Sequence, residues 1–372
     1  MNTAPNIPTT TPAEVPQKLN LYDFSLPQLT EKLSSWGEPA YRAKQLWEWL
    51  YQRKAMTFDQ MTSLPRALRE KLVLETQMGT LELVTEQHST DGQTTKLLFK
   101  LPDGQLIESV LMEYDDGRRT ACISTQAGCA MGCVFCATGQ MGFARHLTDG
   151  EIVQQALFFA RQLEGEKDRL SNVVLMGMGE PLHNYDNSLR AIRKLNDPNG
   201  LGIGQRHITL STVGLVPGIR KLAAEDLQVK LAISLHASND VERSKLLPTN
   251  RRWPIDELLD AVQEYINATG RRVTFEWALI RHENDTVEQA HELGQLLRGM
   301  LCHVNLIPLN PTTGFMGAPS DPERVDAFQA ELATFGVTSS VRVRRGIDID
   351  AGCGQLKSNV LKQAKAADLT IN

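Results

Sequence analysis

The chain has 372 residues, 41% of them hydrophobic and 22% charged, a globular composition that excludes wholesale disorder, collagen and coiled-coil architectures. Its 39 basic against 44 acidic side chains give a net charge of -5, so any nucleic-acid partner must meet a local basic patch. No apolar run approaches the roughly 18 residues of a membrane span, and the start MNTAPNIPTTTPAEVPQKL lacks a signal-peptide pattern, so a cytoplasmic protein with no membrane partner is expected.

Residues 1–19, with four Pro and four Thr, are predicted to be a disordered tail. Residues 20–78 read as a small helical accessory domain of a kind that binds or braces. Ser25 suits an N-cap before Leu26, Leu29 and Leu33, and Ala43, Leu46, Trp47 and Leu50 form a second apolar stripe. Trp36, Trp47 and Trp49 are expected in the core. Residues 79–114 read as a connecting β-hairpin, TTKLLFKLPDG and QLIESVLM joined at Pro102-Asp103-Gly104. From 115 to 360, strand-like runs at 119–124, 172–176, 207–211, 230–235, 273–280, 303–309 and 340–344 alternate with amphipathic stretches. The stretches lie near 149–163, 186–196, 216–225, 255–268, 286–299 and 321–335. Repeated β-α units predict an α/β fold in which a parallel sheet with crossover helices forms a complete or partial barrel. Residues 361–372 are expected to be a C-terminal tail.

In such a barrel, function collects on the loops after the strands. Those loops carry Cys129, Cys133 and Cys136 in a C-x3-C-x2-C run, then Gly177-Met178-Gly179-Glu180-Pro181, Ser211-Thr212, Ser234-Leu235-His236, Asn310-Pro311 and Gly352-Cys353-Gly354. Six cysteines in a reducing compartment point to metal ligands or catalytic thiols. Three thiolates can hold a [4Fe-4S] cluster and leave one iron open; a three-cysteine zinc site completed by histidine is the alternative. A zinc deaminase is excluded, because no H-x-E occurs and Gly132 precedes Cys133. Gly200, Gly202 and Gly204 precede a strand, which speaks against a dinucleotide loop, and His282-Glu283 lacks the second histidine of a zincin. Segment 206–252 holds eight basic residues (Arg206, Arg220, Lys221, Lys230, Arg243, Lys245, Arg251, Arg252) against four acidic ones, a local patch suited to phosphate.

The cysteine spacing, with Phe135 before the last cysteine, resembles the radical S-adenosylmethionine (SAM) superfamily. The 177–181 run, ITLSTVG at 208–214, Ser234-Leu235-His236 and IDIDAGCGQL at 347–356 narrow this: over about residues 20–360 the chain is similar to the RlmN family of dual-specificity RNA adenine-C2 methyltransferases. The resemblance implies a partial (βα)6-type barrel, an RNA-binding role for residues 20–78, a [4Fe-4S] cluster on Cys129, Cys133 and Cys136, and two SAM molecules per turnover. It implies SAM contacts from Gly179, Glu180, Ser211, Ser234, Leu235, His236 and Asn310. Cys353 would accept a methyl group from one SAM; the radical from a second SAM would take hydrogen from that methyl, and the resulting carbon radical would add to adenine C2. Cys122 would resolve the enzyme–RNA bridge, leaving a transient disulfide with Cys353. Glu108 would accept a proton, or Glu113 if the register slips. The partners implied are 23S rRNA at the peptidyl-transferase centre, tRNA at the adenine 3′ to the anticodon, and a flavodoxin or ferredoxin electron donor. Arg342, Arg344 and Arg345, near Cys353, could meet phosphate. Alternatives are the adenine-C8 methyltransferases of the antibiotic-resistance type, a radical activase and a zinc-bearing RNA-binding module. Cys302 is left as a buried thiol.

Overall fold

The computed structural model describes residues 18–165 and 168–357, so the expected C-terminal tail and all but the end of the expected N-terminal tail lie outside the described residues. A two-residue strand, β1 (Leu19–Asn20), leads into helices α1 (Leu26–Ser35), α2 (Tyr41–Tyr51) and α3 (Arg66–Glu75), and then β2 (Thr76–Gln77), which pairs parallel with β1. Ser25 caps α1 as its sequence predicts: its Oγ accepts the Gln28 N–H, and the Gln28 side chain reaches back to the Ser25 N–H at 2.8 Å. Leu29, Leu33, Ala43, Leu46, Trp47 and Leu50 are buried. Trp36 and Trp49 only border the core, each with a cation on its face, Lys71 at 4.8 Å and Arg53 at 4.5 Å.

The expected hairpin has three strands rather than two. β3 (Glu82–His88), β4 (Thr94–Lys100) and β5 (Leu106–Glu113) run antiparallel, and β5 pairs antiparallel with β6 (Arg119–Cys122), so the segment extends the main sheet. β3 escapes a pattern search because every one of its residues is exposed at the sheet edge.

After β6 comes a two-stranded ladder, β7 (Gln126–Gly128) with β8 (Phe143–His146), enclosing the short helix α4 (Ala137–Gln140). Six crossovers follow, built by α5 (Asp149–Gly165), β9 (Asn172–Leu175), α6 (Tyr185–Asn196), β10 (Ile208–Thr212), α7 (Val216–Ala223), β11 (Lys230–Ser234), α8 (Asp240–Leu246), α9 (Ile255–Thr269), β12 (Val273–Leu279), α10 (Val287–Leu297), β13 (Cys302–Pro308), α11 (Pro322–Thr334) and β14 (Ser339–Val341). The ten strands order as β14-β13-β12-β11-β10-β9-β6-β5-β4-β3, with β6 and β9 to β14 parallel.

The sheet curls into a partial barrel. Met176, Ser211, Ser234, Glu276, Ile307 and Arg342, from six adjacent strands or the residues just past them, line one cleft; a flat sheet would spread them over about 24 Å. The helical unit is fastened to the barrel by Lys194 of α6, buried between the Asp149 carboxylate at 2.6 Å and the Tyr22 carbonyl. Among the described residues, no helix is long and apolar enough to cross a membrane.

Candidate active site at the strand ends

The loop bearing Cys129, Cys133 and Cys136 leaves β7 through Gly128 at φ +75°, where an added Cβ would lie 2.0 Å from the Gly142 carbonyl oxygen. Only glycine fits there. The Cys129 N–H donates to that same carbonyl at 2.8 Å, and the Val134 N–H donates to the Leu246 carbonyl at the end of α8 at 3.1 Å. The Ala137 N–H donates to the Gly354 carbonyl at 2.7 Å, so the loop meets the Cys353 segment.

All three cysteines line a cleft of about 980 Å³. Burial pushes their thiols up, Cys129 to about 12; cationic irons oppose that by binding thiolates. Among the described residues, no three His, Cys, Asp or Glu side chains gather tightly enough for one metal ion. A cubane offers a separate iron to each of the three thiolates.

The other walls of this cleft come from the strand ends. Gly179, at φ +105°, turns so tightly that a Cβ would lie 2.6 Å from the Gln126 side chain. Glu180 is buried; its Oε2 accepts the Val213 N–H at 2.8 Å and its Oε1 the Leu182 N–H at 3.0 Å. Burial raises its pKa to about 7 against the pull of those donors, and the carboxylate keeps lone pairs for a ligand. Ser211 and Ser234 also line the cleft. His236, in the left-handed region at φ +61°, accepts the Ala278 N–H on Nδ1 at 2.8 Å. Burial holds its pKa at about 3, so the ring is neutral and keeps an Nε2–H donor.

Asn310 donates from Nδ2 to the Cys353 carbonyl at 3.1 Å, but its Oδ1 is buried with no partner. Such an orphaned acceptor is costly unless a ligand supplies a donor. With the cysteine triad and the glycine-lined turn at 177–179, it fits a cleft built for a cluster and SAM. Leu235 departs from the expected set: it is fully buried away from the cleft wall, and its N–H and C=O are taken by the Glu276 carbonyl and Arg243, each at 3.1 Å. Gln126, missed in the sequence, places its Oε1 2.8 Å from the Glu180 N–H and its Nε2 3.0 Å from both His146 and His183. A lone glutamine in a three-residue strand gives no signal.

Cys353 is exposed and lines both this cleft and a second of about 770 Å³, whose far wall is Val110, Met112, Tyr114 and Cys122. Burial, and Cys353 nearby, raise the Cys122 thiol to about 12. The expected Cys122–Cys353 disulfide is not formed, since all six cysteines are free. Cys122 is fixed by pairing with Val110 and Val174, whereas Cys353 sits on a separate loop.

Glu108 alternates onto the same face of β5 as Val110 and Met112. It is buried, with Oε1 3.2 Å from the Lys96 ammonium and Oε2 accepting the Lys357 N–H at 2.8 Å. Burial raises its pKa and Lys96 opposes the rise. Glu113 falls on the opposite face and pairs with Arg119 at 2.9 Å.

The basic patch is only partly as expected. Arg342, Arg344 and Arg345 line the second cleft, and Arg345 and Arg118 lie 4.5 and 4.4 Å from the Tyr114 ring. Arg220 and Lys221 are engaged by Glu264 at 3.0 Å and Asp186 at 3.1 Å. Arg243 is no surface cation at all: it is 0% exposed, because backbone carbonyls surround its guanidinium. Cys302 is buried, as expected.

A curled parallel sheet with a three-cysteine loop after its first strand and polar groups at the ends of the others defines an enzyme of the radical SAM type. Residues 123–294 match the Radical SAM superfamily, and residues 19–77 match the ribosomal RNA large subunit methyltransferase N-terminal domain. The dual-specificity RNA methyltransferase RlmN 1 of Myxococcus xanthus is 58% identical over 346 residues, covering 93% of this chain and 96% of that protein. A probable dual-specificity RNA methyltransferase RlmN of Chloroflexus aurantiacus is 51% identical over 90% of this chain and 92% of its own length. A crystal structure of a radical SAM methyltransferase from Sphaerobacter thermophilus superposes with a TM-score of 0.89 at 50% identity, covering 91% of this chain and 99% of that one. The chain belongs to the RlmN family.

Proposed function

We propose that this protein methylates C2 of an adenine in 23S rRNA, at the peptidyl-transferase centre, and of the adenine 3′ to the anticodon in tRNA, acting in the cytoplasm with flavodoxin or ferredoxin as electron donor. The observation that carries the reading is the position of Cys353, on the wall common to the cysteine-triad cleft and the Cys122 cleft. Adenine C2 is electron-poor and a bad partner for an electrophilic methyl group, which is the chemical reason for a radical route. Bound to Cys129, Cys133 and Cys136, the cluster would supply the electron that cleaves SAM to a 5′-deoxyadenosyl radical.

The chain's own groups do the rest. Glu180, Ser211, Ser234, His236 and Asn310 hold SAM, with His236 Nε2–H as a donor and Asn310 Oδ1 as an acceptor. The Cys353 sulfur takes the methyl group of one SAM, releasing S-adenosylhomocysteine, and presents the carbon to the second cleft; a second SAM is consumed in activating it. Glu108 accepts the proton displaced from the base, and Cys122 resolves the bridge between Cys353 and RNA. Arg344 and Arg345 meet phosphate at the rim. Nucleoside analysis of RNA from cells with and without the protein tests this. Loss of 2-methyladenosine from both RNAs is expected; loss of 8-methyladenosine, or no change, would contradict it.

A further inference from the structure

Helix α8 joins the two halves of the site through one side chain. Arg243 is 0% exposed, and its guanidinium donates to the carbonyls of Val213 at 2.8 Å, Ser234 at 3.1 Å and Leu235 at 3.1 Å, and to Asn250 Oδ1 at 2.7 Å. The three carbonyls lie where the chain leaves β10 and β11, the strands that bring Ser211 and Ser234 to the cleft. Those four acceptors are neutral; Asp240 is linked only through Asn250, which donates to its Oδ1 at 2.9 Å.

The other end of α8 supports the cysteine loop through the Leu246 carbonyl under Val134, and the turn after the helix does so through the Thr249 hydroxyl, 3.7 Å from the Met131 sulfur. Cys133 precedes Val134, which Leu246 holds about one turn of α8 beyond Arg243, and it lines the same cleft as Val213 and Ser234, whose carbonyls the guanidinium binds.

A buried cation whose direct partners are all neutral is expensive unless a nearby negative group completes it. A cubane held by three thiolates has a net negative charge that grows by one on reduction, and net charge and hydrogen bonding set its potential. We propose that Arg243 is a positioning residue for both halves of the site: it fixes the strand ends that hold SAM, and its charge beside Cys133 favours the reduced cluster. This rests on reading Cys129, Cys133 and Cys136 as cluster ligands.

The test is a potentiometric titration, followed by electron paramagnetic resonance, of the anaerobically reconstituted full chain as wild type, Arg243→Gln, Arg243→Lys and Asp240→Asn. SAM binding is measured alongside by equilibrium dialysis. The midpoint potential should become more negative in Arg243→Gln, stay near wild type in Arg243→Lys, and become more positive in Asp240→Asn, which removes a negative charge but keeps the Oδ1 acceptor. SAM affinity should fall about tenfold in both Arg243 variants, because neither side chain can serve all three carbonyls. If Arg243→Gln does not fold, the other two variants carry the test. Potentials in Arg243→Gln and Asp240→Asn equal to wild type at equal iron content would overturn the proposal, as would unchanged SAM affinity in Arg243→Lys. A wild-type chain that takes up no iron would overturn the cluster reading itself, and the proposal with it.

Discussion

Cys353 and Cys122 face one cleft from different elements, and their proposed roles separate cleanly by substitution. Cys353→Ala should bind iron at the wild-type level and still cleave SAM, yet transfer no methyl group to RNA; methylation by this variant would remove the carrier role. Cys122→Ala should accumulate protein covalently joined to RNA, seen as a slow-migrating band that nuclease collapses, and a fully active variant without that band would reject it.

His236 gives a pH test at the same scale. Its pKa is held at about 3 against an ordinary 6.5, so between those values the unfolded chain binds the extra proton. The stability that a neutral His236 contributes is complete above pH 6.5 and is lost as pH falls toward 3, with a slope approaching about 1.4 kcal/mol per pH unit. Urea midpoints of the wild type should therefore drop faster between pH 6.5 and 5.5 than those of His236→Gln. Parallel curves would contradict the assignment. The cysteines were legible because three thiols at fixed spacing carry their chemistry in the sequence. Arg243 was not, since a buried arginine satisfied by distant carbonyls looks in sequence like one more charge in a basic run.

At the scale of elements, the parallel strands were legible within a few residues because β-branched runs buried by crossover helices keep their character wherever they fall. The β3 edge and the β7–β8 ladder were hidden: one is exposed throughout, with its apolar Leu83 and Val84 adjacent instead of alternating, and the other is three and four residues long, held by the glycine-rich loop it encloses. That ladder sets the cysteine geometry. Gly128→Ala forces a Cβ against a backbone oxygen at a positive φ. Iron content after reconstitution should fall severalfold while far-ultraviolet circular dichroism stays unchanged. Full iron uptake would show that the ladder does not shape the site.

Across the whole molecule, the helical unit and the barrel meet at Lys194, whose ammonium and the Asp149 carboxylate are each 5% exposed. Lys194→Met would strand that carboxylate with only Arg190, at 3.5 Å, to face it. The expected cost is about 2 kcal/mol, read from urea unfolding; a change below about 0.5 kcal/mol, the range of ordinary surface substitutions, would mean the contact does not fasten the two parts.

On the proposed route the methyl group passes through Cys353 on its way to adenine, losing one hydrogen to the radical and later regaining one from solvent. Turnover with SAM bearing a trideuterated methyl group reads this out in the product. The 2-methyladenosine formed should retain two of the three deuterons; a product methyl group carrying all three would rule out the cysteine carrier.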